Sequence, residues 1–359
     1  MIVERATALL TICAVAVAVT ALSLSALVRA ERRSQSAPAE LETAAAVLAE
    51  LPEPRLVTVE QSVERGQAAT VVLHPGIGVR GMQVALEDPD GEEISNASGF
   101  RVYPVRDVAV WIAKLGVPNT AEDGAYTLRA SALYDDGSRE FQTALEVEHT
   151  EFYSMEIALS PAMTDLRREP DPERIRQARE MAALLSSYRL DGLYYEGAFE
   201  PPVSYRRRSA GYGDRRVYRY HDGDSATAVH VGVDMAAPSG EPVYAAAGGR
   251  VAFADDRIIS GYSVVLEHLP GVYSLYYHLD EITVEEGEVL RPGSQIGTVG
   301  ATGLATGPHL HWELRVGGVP VDPDRYLERP LVDKVAIFST ILDILKARDD
   351  NVAAEHERG

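Results

Sequence analysis

The chain has 359 residues, 46% of them hydrophobic and 25% charged. That size and composition fit two or three folded units and exclude whole-chain disorder, collagen and a polytopic membrane protein. A formal net charge of −20 repels phosphate backbones and argues against a nucleic-acid partner, and the single cysteine, Cys13, excludes an intramolecular disulfide and a thiolate metal cluster.

From Ala6 to Val28 the chain is uncharged and apolar, flanked by Arg5 and by Arg29, Arg32 and Arg33. As a helix this stretch would measure ~35 Å at ~1.5 Å per residue, enough for a ~30 Å hydrocarbon core. Residues 1–30 are therefore expected to be an export signal, kept as a membrane anchor through 6–28 or cleaved near Val28-Arg29-Ala30. Either outcome places the bulk of the chain outside the cytoplasm, in the periplasm or cell envelope. Residues 31–54 are rich in Ala and Glu, with Pro38, Pro52 and Pro54, and predict a stalk or linker.

Residues 55–150 change character. Runs rich in Val, Leu, Tyr and Thr at 56–63, 69–75, 82–91, 108–116, 124–137 and 141–148 alternate with Gly and Asp-Gly turns. That rhythm predicts a β-sandwich of immunoglobulin-like type. His74 and His149 read there as surface or strand-end residues, and Trp111 as core. Residues 151–204 predict a linker holding one amphipathic helix. Asp171 caps it, Pro172 suits its first turn, and Ile175, Ala178, Ala182 and Leu185 recur at helical spacing. Residues 205–327 form the next unit, and 328–359 end the chain with an amphipathic helix over 331–350 and a tail. The fold class is mainly β.

Six of the nine histidines lie between His221 and His311. In His230-Val-Gly-Val-Asp234, period-two alternation puts His230, Gly232 and Asp234 on one strand face, with the glycine leaving open space above it. In His309-Leu-His-Trp-Glu313 the same alternation aligns His309, His311 and Glu313. Two imidazoles and a carboxylate from neighbouring strands can converge on one point, which suits a catalytic Zn²⁺ with three protein ligands and an open position for water. No His-Glu-x-x-His helix exists in the chain, so the base must be sought elsewhere, with His309 and His278 the remaining candidates. His221 and His268 read as structural. The arginines Arg206, Arg207, Arg208, Arg215 and Arg216 read chiefly as a solvated face.

These residues, taken with Gly240-Glu-Pro-Val-Tyr-Ala245, Gly261-Tyr-Ser-Val-Val-Leu-Glu-His268, Tyr276-Tyr-His-Leu279 and Gly303-Leu-Ala-Thr-Gly-Pro-His-Leu-His-Trp-Glu313, resemble the lysostaphin-type (LytM) zinc endopeptidases that cut peptide cross-links of peptidoglycan. The motifs come in the family's order over about residues 211–323. The resemblance implies a small antiparallel β-sheet domain with one Zn²⁺ per chain, held by His230, Asp234 and His311. It implies His309 as general base on the water the metal activates, and His278 as the residue that orients that water and stabilises the oxyanion. Thr306 and Gly307, which precede the His-x-His strand, and Arg215, as a grip on stem-peptide carboxylates, are the substrate-binding candidates. The implied partners are peptidoglycan stems and a regulatory envelope protein. The alternative function is a non-catalytic or autoinhibited module that binds the wall or activates another hydrolase.

Overall fold

The computed structural model describes residues 54–105, 108–195, 197–341 and 343. The apolar segment 6–28 and the stalk up to residue 53 lie outside the described residues, as does the end of the 331–350 helix. Among the described residues no helix is long and apolar enough to cross a membrane.

Two sheets face each other in the N-terminal part. One has the order β1 (Arg55–Thr58), β3 (Ala68–His74), β7 (Val108–Gly116), β6 (Phe100–Val105). The other runs β2 (Ser62–Glu64), β9 (Gly137–Glu148), β8 (Gly124–Tyr134), β4 (Gly81–Glu87), β5 (Glu93–Ser98). Period two explains the packing: Ala69, Val71 and Leu73 of β3 point to the same core as Val84, Leu86, Leu128 and Ala130 of the facing sheet. The run 56–63 is split into β1 and β2, and β5 and β6 arise from residues 93–105, which carry no strong apolar alternation. Trp111 is buried in this core. His74 is buried at the end of β3, not on the surface, because both faces of that strand are covered. His149 is a surface residue beside Asp123.

The second face of β3 and β7 meets the rest of the chain. Ala68, Val72, Val110 and Ile112 share a core with Val316 and Leu331, and with Ile337 and Ile341 of a helical segment over 334–341. Polar contacts reinforce the junction: the Tyr326 hydroxyl accepts from Ala68 N at 2.9 Å, and Asp322 N donates to Gly66 O at 2.7 Å. Tyr326 lies on the short α3 (Arg325–Glu328).

The C-terminal part is built on a ten-stranded sheet, antiparallel at every pairing. Its main path is β11 (Arg207–Ala210), β14 (Val233–Ala236), β21 (Leu310–Val316), β18 (Val272–Ile282), β17 (Gly261–Leu269), β16 (Gly249–Arg257), β19 (Val289–Leu290). The short strands β15 (Pro242–Tyr244), β20 (Gln295–Val299) and β22 (Val319–Val321) pair beside it. A separate sheet has the order β10 (Ser154–Ala158), β12 (Arg215–Arg219), β13 (Ser225–Val229).

Segment 151–204 is therefore built into this part and does not merely span a gap. It supplies β10, α1 (Pro161–Arg168) and α2 (Pro172–Leu185). Asp171 caps α2 through its side chain, as its position before Pro172 predicts. The expected apolar stripe is displaced, however: Ile175 is exposed, and Met181 and Leu185 are the buried positions, packed on Val265, Tyr273, Leu275 and Tyr277. Hydrogen bonds set that rotation. Gln177 Oε1 accepts from Ile258 N, and Arg174 donates to Leu166 O and Arg167 O, which turns the polar side chains of those two residues toward the protein.

His268 is fully buried and structural, its Nδ1–H donating to Gly248 O at 2.7 Å while Nε2 meets the Ser274 hydroxyl at 2.7 Å. Burial pushes its pKa down from 6.5 to about 4. The unfolded imidazole takes up a proton below its ordinary value and the folded one does not, so stability is lost as pH falls from about 6.5 toward 4, by ~3 kcal/mol in all. Denaturant midpoints at pH 7 and 4.5 for the parent and a folded His268→Gln variant check this. The variant should show the smaller acid loss, and equal losses would remove His268 as the cause.

Candidate metal centre

Strand pairing brings the donors together. In the β14–β21 ladder Asp234 lies directly opposite His311, so a carboxylate and an imidazole share one face of neighbouring strands. His230 stands just before β14, at the bend where the ribbon leaves the small sheet for the large one. Its Nε2 lies 3.1 Å from Asp234 Oδ1 and 3.0 Å from His311 Nδ1, and His311 Nδ1 lies 2.8 Å from Asp234 Oδ1. All three residues are buried.

Gly232 works differently from its expected role. No open space lies above it. A Cβ there would come within 2.5 Å of Trp312 O and 2.9 Å of His311 Nε2, so the glycine permits β21 to cross closely enough for the donors to meet.

The outer atom of each ligand is tied. His230 Nδ1–H donates to Gly211 O at 2.6 Å; a carbonyl can only accept, so Nε2 carries the inward lone pair. His311 Nε2–H donates to Glu313 Oε1 at 2.9 Å, leaving Nδ1 inward, and Arg315 in turn grips Glu313 Oε2. Arg216 Nη2 donates to Asp234 Oδ2 at 2.5 Å, leaving Oδ1 inward. Three inward lone-pair atoms within 3.1 Å of one another repel unless a cation lies among them. Their spacing is close to the ~3.3 Å edge of a tetrahedron with ~2.0 Å zinc bonds, and His₂Asp is a zinc donor set. The residues fit the ion.

A proton on His311 serves as that cation until a metal displaces it. Burial works against a charged Asp234, yet the two imidazoles beside it hold its pKa well below the ordinary value. Burial likewise opposes charge on His311, but the contacts with Asp234 and Glu313 lift it to about 9. His230 is lowered by burial. Site chemistry of this kind, with pKa values driven apart in a few ångströms, is typical of functional centres.

His309 and His278 flank the donors. The His309 Nδ1–H donates to Gly307 O at 2.8 Å, and its Nε2 stands 3.7 Å from Asp234 Oδ1, outside the donor triangle. The His278 ring centroid is 4.9 Å from that of His309. His278 sits at φ +62° where the β17–β18 register slips, a bulge that re-aims the side chain. Its N–H donates to Ser260 O and its Nδ1–H to Thr302 O, each at 2.8 Å, leaving Nε2 as acceptor. Burial, followed by the neighbouring His309 and His311, pushes its pKa down to about 3.

All five metal and catalytic candidates thus meet in one place. Gly307 touches it through its carbonyl, and Thr306 is exposed just before it. Arg215 does not reach it. Its guanidinium lies 5.7 Å from the centre of the Phe152 ring, on the face of β12 opposite Arg216. The reading of the arginines as a solvated face is corrected for two of them: Arg216 holds Asp234, and Arg208 pairs with Asp324. Thr302 and Arg216 carry no sequence signal of their own. Strand alternation places Glu313 on the His311 face, and the structure adds its role as the acceptor for His311 Nε2–H.

Residues 228–323 match Peptidase family M23. The chain is similar to the DD-carboxypeptidase/endopeptidase Mpg of Neisseria meningitidis, 42% identical over 132 residues, covering 36% of this chain and 30% of Mpg. It is similar to the peptidoglycan DD-endopeptidase ShyB of Vibrio cholerae, 37% identical over 142 residues, covering 37% and 33%. The chain spans about a third of the length of these curated relatives. A crystal structure of a peptidase M23 homologue from Pseudomonas aeruginosa superposes with a TM-score of 0.51 at 22% identity, over 79% of this chain and 98% of the other, a likeness of fold.

Proposed function

The chain belongs to peptidase family M23 through residues 228–323, and from that premise we propose that it is an exported endopeptidase hydrolysing peptide cross-links of peptidoglycan, with one zinc ion per chain held by His230, Asp234 and His311. The reading rests on the convergence of the donor atoms of His230, Asp234 and His311, with the rings of His309 and His278 packed against them. When bound, zinc would supply a Lewis acid for the scissile carbonyl and lower the pKa of water at its open position to about 7.

The chain's own groups do the rest. His309, held as the Nδ1–H tautomer by Gly307 O, offers Nε2 to take a proton from the attacking water and pass it to the leaving amine. His278, neutral and pinned by Thr302 O, is an acceptor at Nε2 and orients the water. Donation to an oxyanion would require its imidazolium, which burial and the neighbouring histidines disfavour. Thr306 and Gly307 are the substrate-facing positions we retain. Arg215 is set aside, since its place over Phe152 keeps it from the donors. We assign 205–327, braced by 151–204, as the peptidase unit, and the immunoglobulin-like sandwich of 55–150 as a non-catalytic support anchored to the envelope through the N-terminal segment. The similarity to two DD-endopeptidases supports the choice of substrate.

Digestion of purified cross-linked peptidoglycan by the chain from Glu31 onward, read by mass spectrometry, tests this. New peptide ends at cross-links are expected; intact cross-links with a folded, zinc-loaded chain would remove the assignment.

A further inference from the structure

Arg216 belongs to a strand outside the matched residues 228–323, yet its guanidinium reaches the buried carboxylate at the centre of the site. We infer that Arg216 is a positioning residue for the metal centre, fixing Asp234 as a one-oxygen ligand and setting the affinity and geometry with which the ion is held. This rests on the reading of His230, Asp234 and His311 as the zinc ligands.

The two carboxylate oxygens of Asp234 have different partners. Oδ1 lies between His230 Nε2 and His311 Nδ1, at 3.1 and 2.8 Å, while Oδ2 receives Arg216 Nη2 at 2.5 Å. A guanidinium competing with a metal for the site would sit among the inward donors. Arg216 sits on the outer oxygen instead, where a metal held by Oδ1 leaves room for it. The contact is largely shielded, with Arg216 and Asp234 side chains 14% and 10% exposed. Charge-assisted bonds are strengthened by that exclusion of water.

The backbone holds the arginine firmly. β12 is the central strand of its sheet, and Arg216 is opposed by Met155 of β10 on one side and Ala228 of β13 on the other. Each ligand consequently has its own outer partner: Gly211 O for His230, Glu313 for His311, Arg216 for Asp234. Such partners orient ligands, and their loss costs about 10–100-fold in metal affinity. Without Arg216, Oδ2 is free to turn inward and bind alongside Oδ1. A positive charge beside a ligand by itself weakens cation binding, so a purely electrostatic role predicts the opposite sign to an orienting one.

The test measures zinc affinity by competition with a chromogenic chelator for the parent chain, Arg216→Ala, Arg216→Lys and Arg219→Ala, with folding checked by circular dichroism. Arg219 lies on the same strand and pairs at the surface with Glu156, away from Asp234. Expected are a loss of about 10–100-fold for Arg216→Ala, partial recovery with Arg216→Lys, and no change for Arg219→Ala. The visible spectrum of the Co²⁺-substituted chain should weaken in Arg216→Ala, as four-coordinate geometry gives way to five. If Arg216→Ala does not fold, Arg216→Lys carries the test, with a smaller loss and the same spectral shift. Parent-like affinity and spectrum in the folded variants, or tighter binding, would overturn the inference alone. A parent chain that binds no zinc would overturn the ligand assignment as well.

Discussion

Replacing His309 by Ala is expected to lower kcat/KM for a cross-linked stem peptide by about 10²–10⁴-fold, with zinc content unchanged. The separation of the two effects follows from geometry. His309 Nε2 stands 3.7 Å from Asp234 Oδ1 and takes no part in the 2.8–3.1 Å contacts among the three donors. Its ring is fixed by Gly307 O, so the free nitrogen has one direction in which to act. Truncation opens a partly exposed space and leaves no buried group unpaired, so folding should survive. Steady-state kinetics beside metal analysis on one preparation decides the matter. Loss of zinc with loss of rate would make His309 a ligand, and a parent-like rate would remove it from the chemistry.

The larger effect is expected from His311→Ala, which deletes a donor. Metal affinity should fall by more than the about 10–100-fold that outer partners cost, and hydrolysis should disappear with it. His311 also joins the two halves of the polar chain that runs from Asp234 to Glu313 and Arg315. Glu313 is buried, and burial alone would raise its pKa; Arg315 and His311 instead hold it down to about 2. In the variant Arg315 still pairs with Glu313, so the chain should fold with a lower midpoint. A ligand that binds only the folded state stabilises it by about 4 kcal/mol at a thousand times its dissociation constant. Zinc should accordingly raise the melting temperature of the parent and leave that of His311→Ala unmoved. An equal rise in both would show that the ion binds elsewhere.

What the sequence disclosed and what it hid have physical reasons. His230, Asp234, His309 and His311 were legible because period two fixes which residues share a strand face, and β14 and β21 lie side by side. Period two says nothing of what crosses above that face. Gly232 was therefore read as opening space, when it admits a neighbouring strand. Partners distant in sequence leave no local trace: Arg216 meets Asp234 through a sheet whose third strand comes from residues 154–158. The same holds for Ala68 and Tyr326, which tie the sandwich to the peptidase part. Helix α2 shows the limit of apolar spacing. Its start was fixed by Asp171 and Pro172, but its orientation was set by Gln177 and Arg174, polar residues with partners in the fold.

We propose that one ion held by His230, Asp234 and His311 makes this chain a cross-link endopeptidase. The most direct measurement titrates zinc into the metal-free chain from Glu31 onward and follows zinc bound and cross-links cleaved in the same samples. Both should rise together and level off at one zinc per chain. Cleavage by the metal-free chain, or full zinc loading with no cross-link cut, would contradict the account.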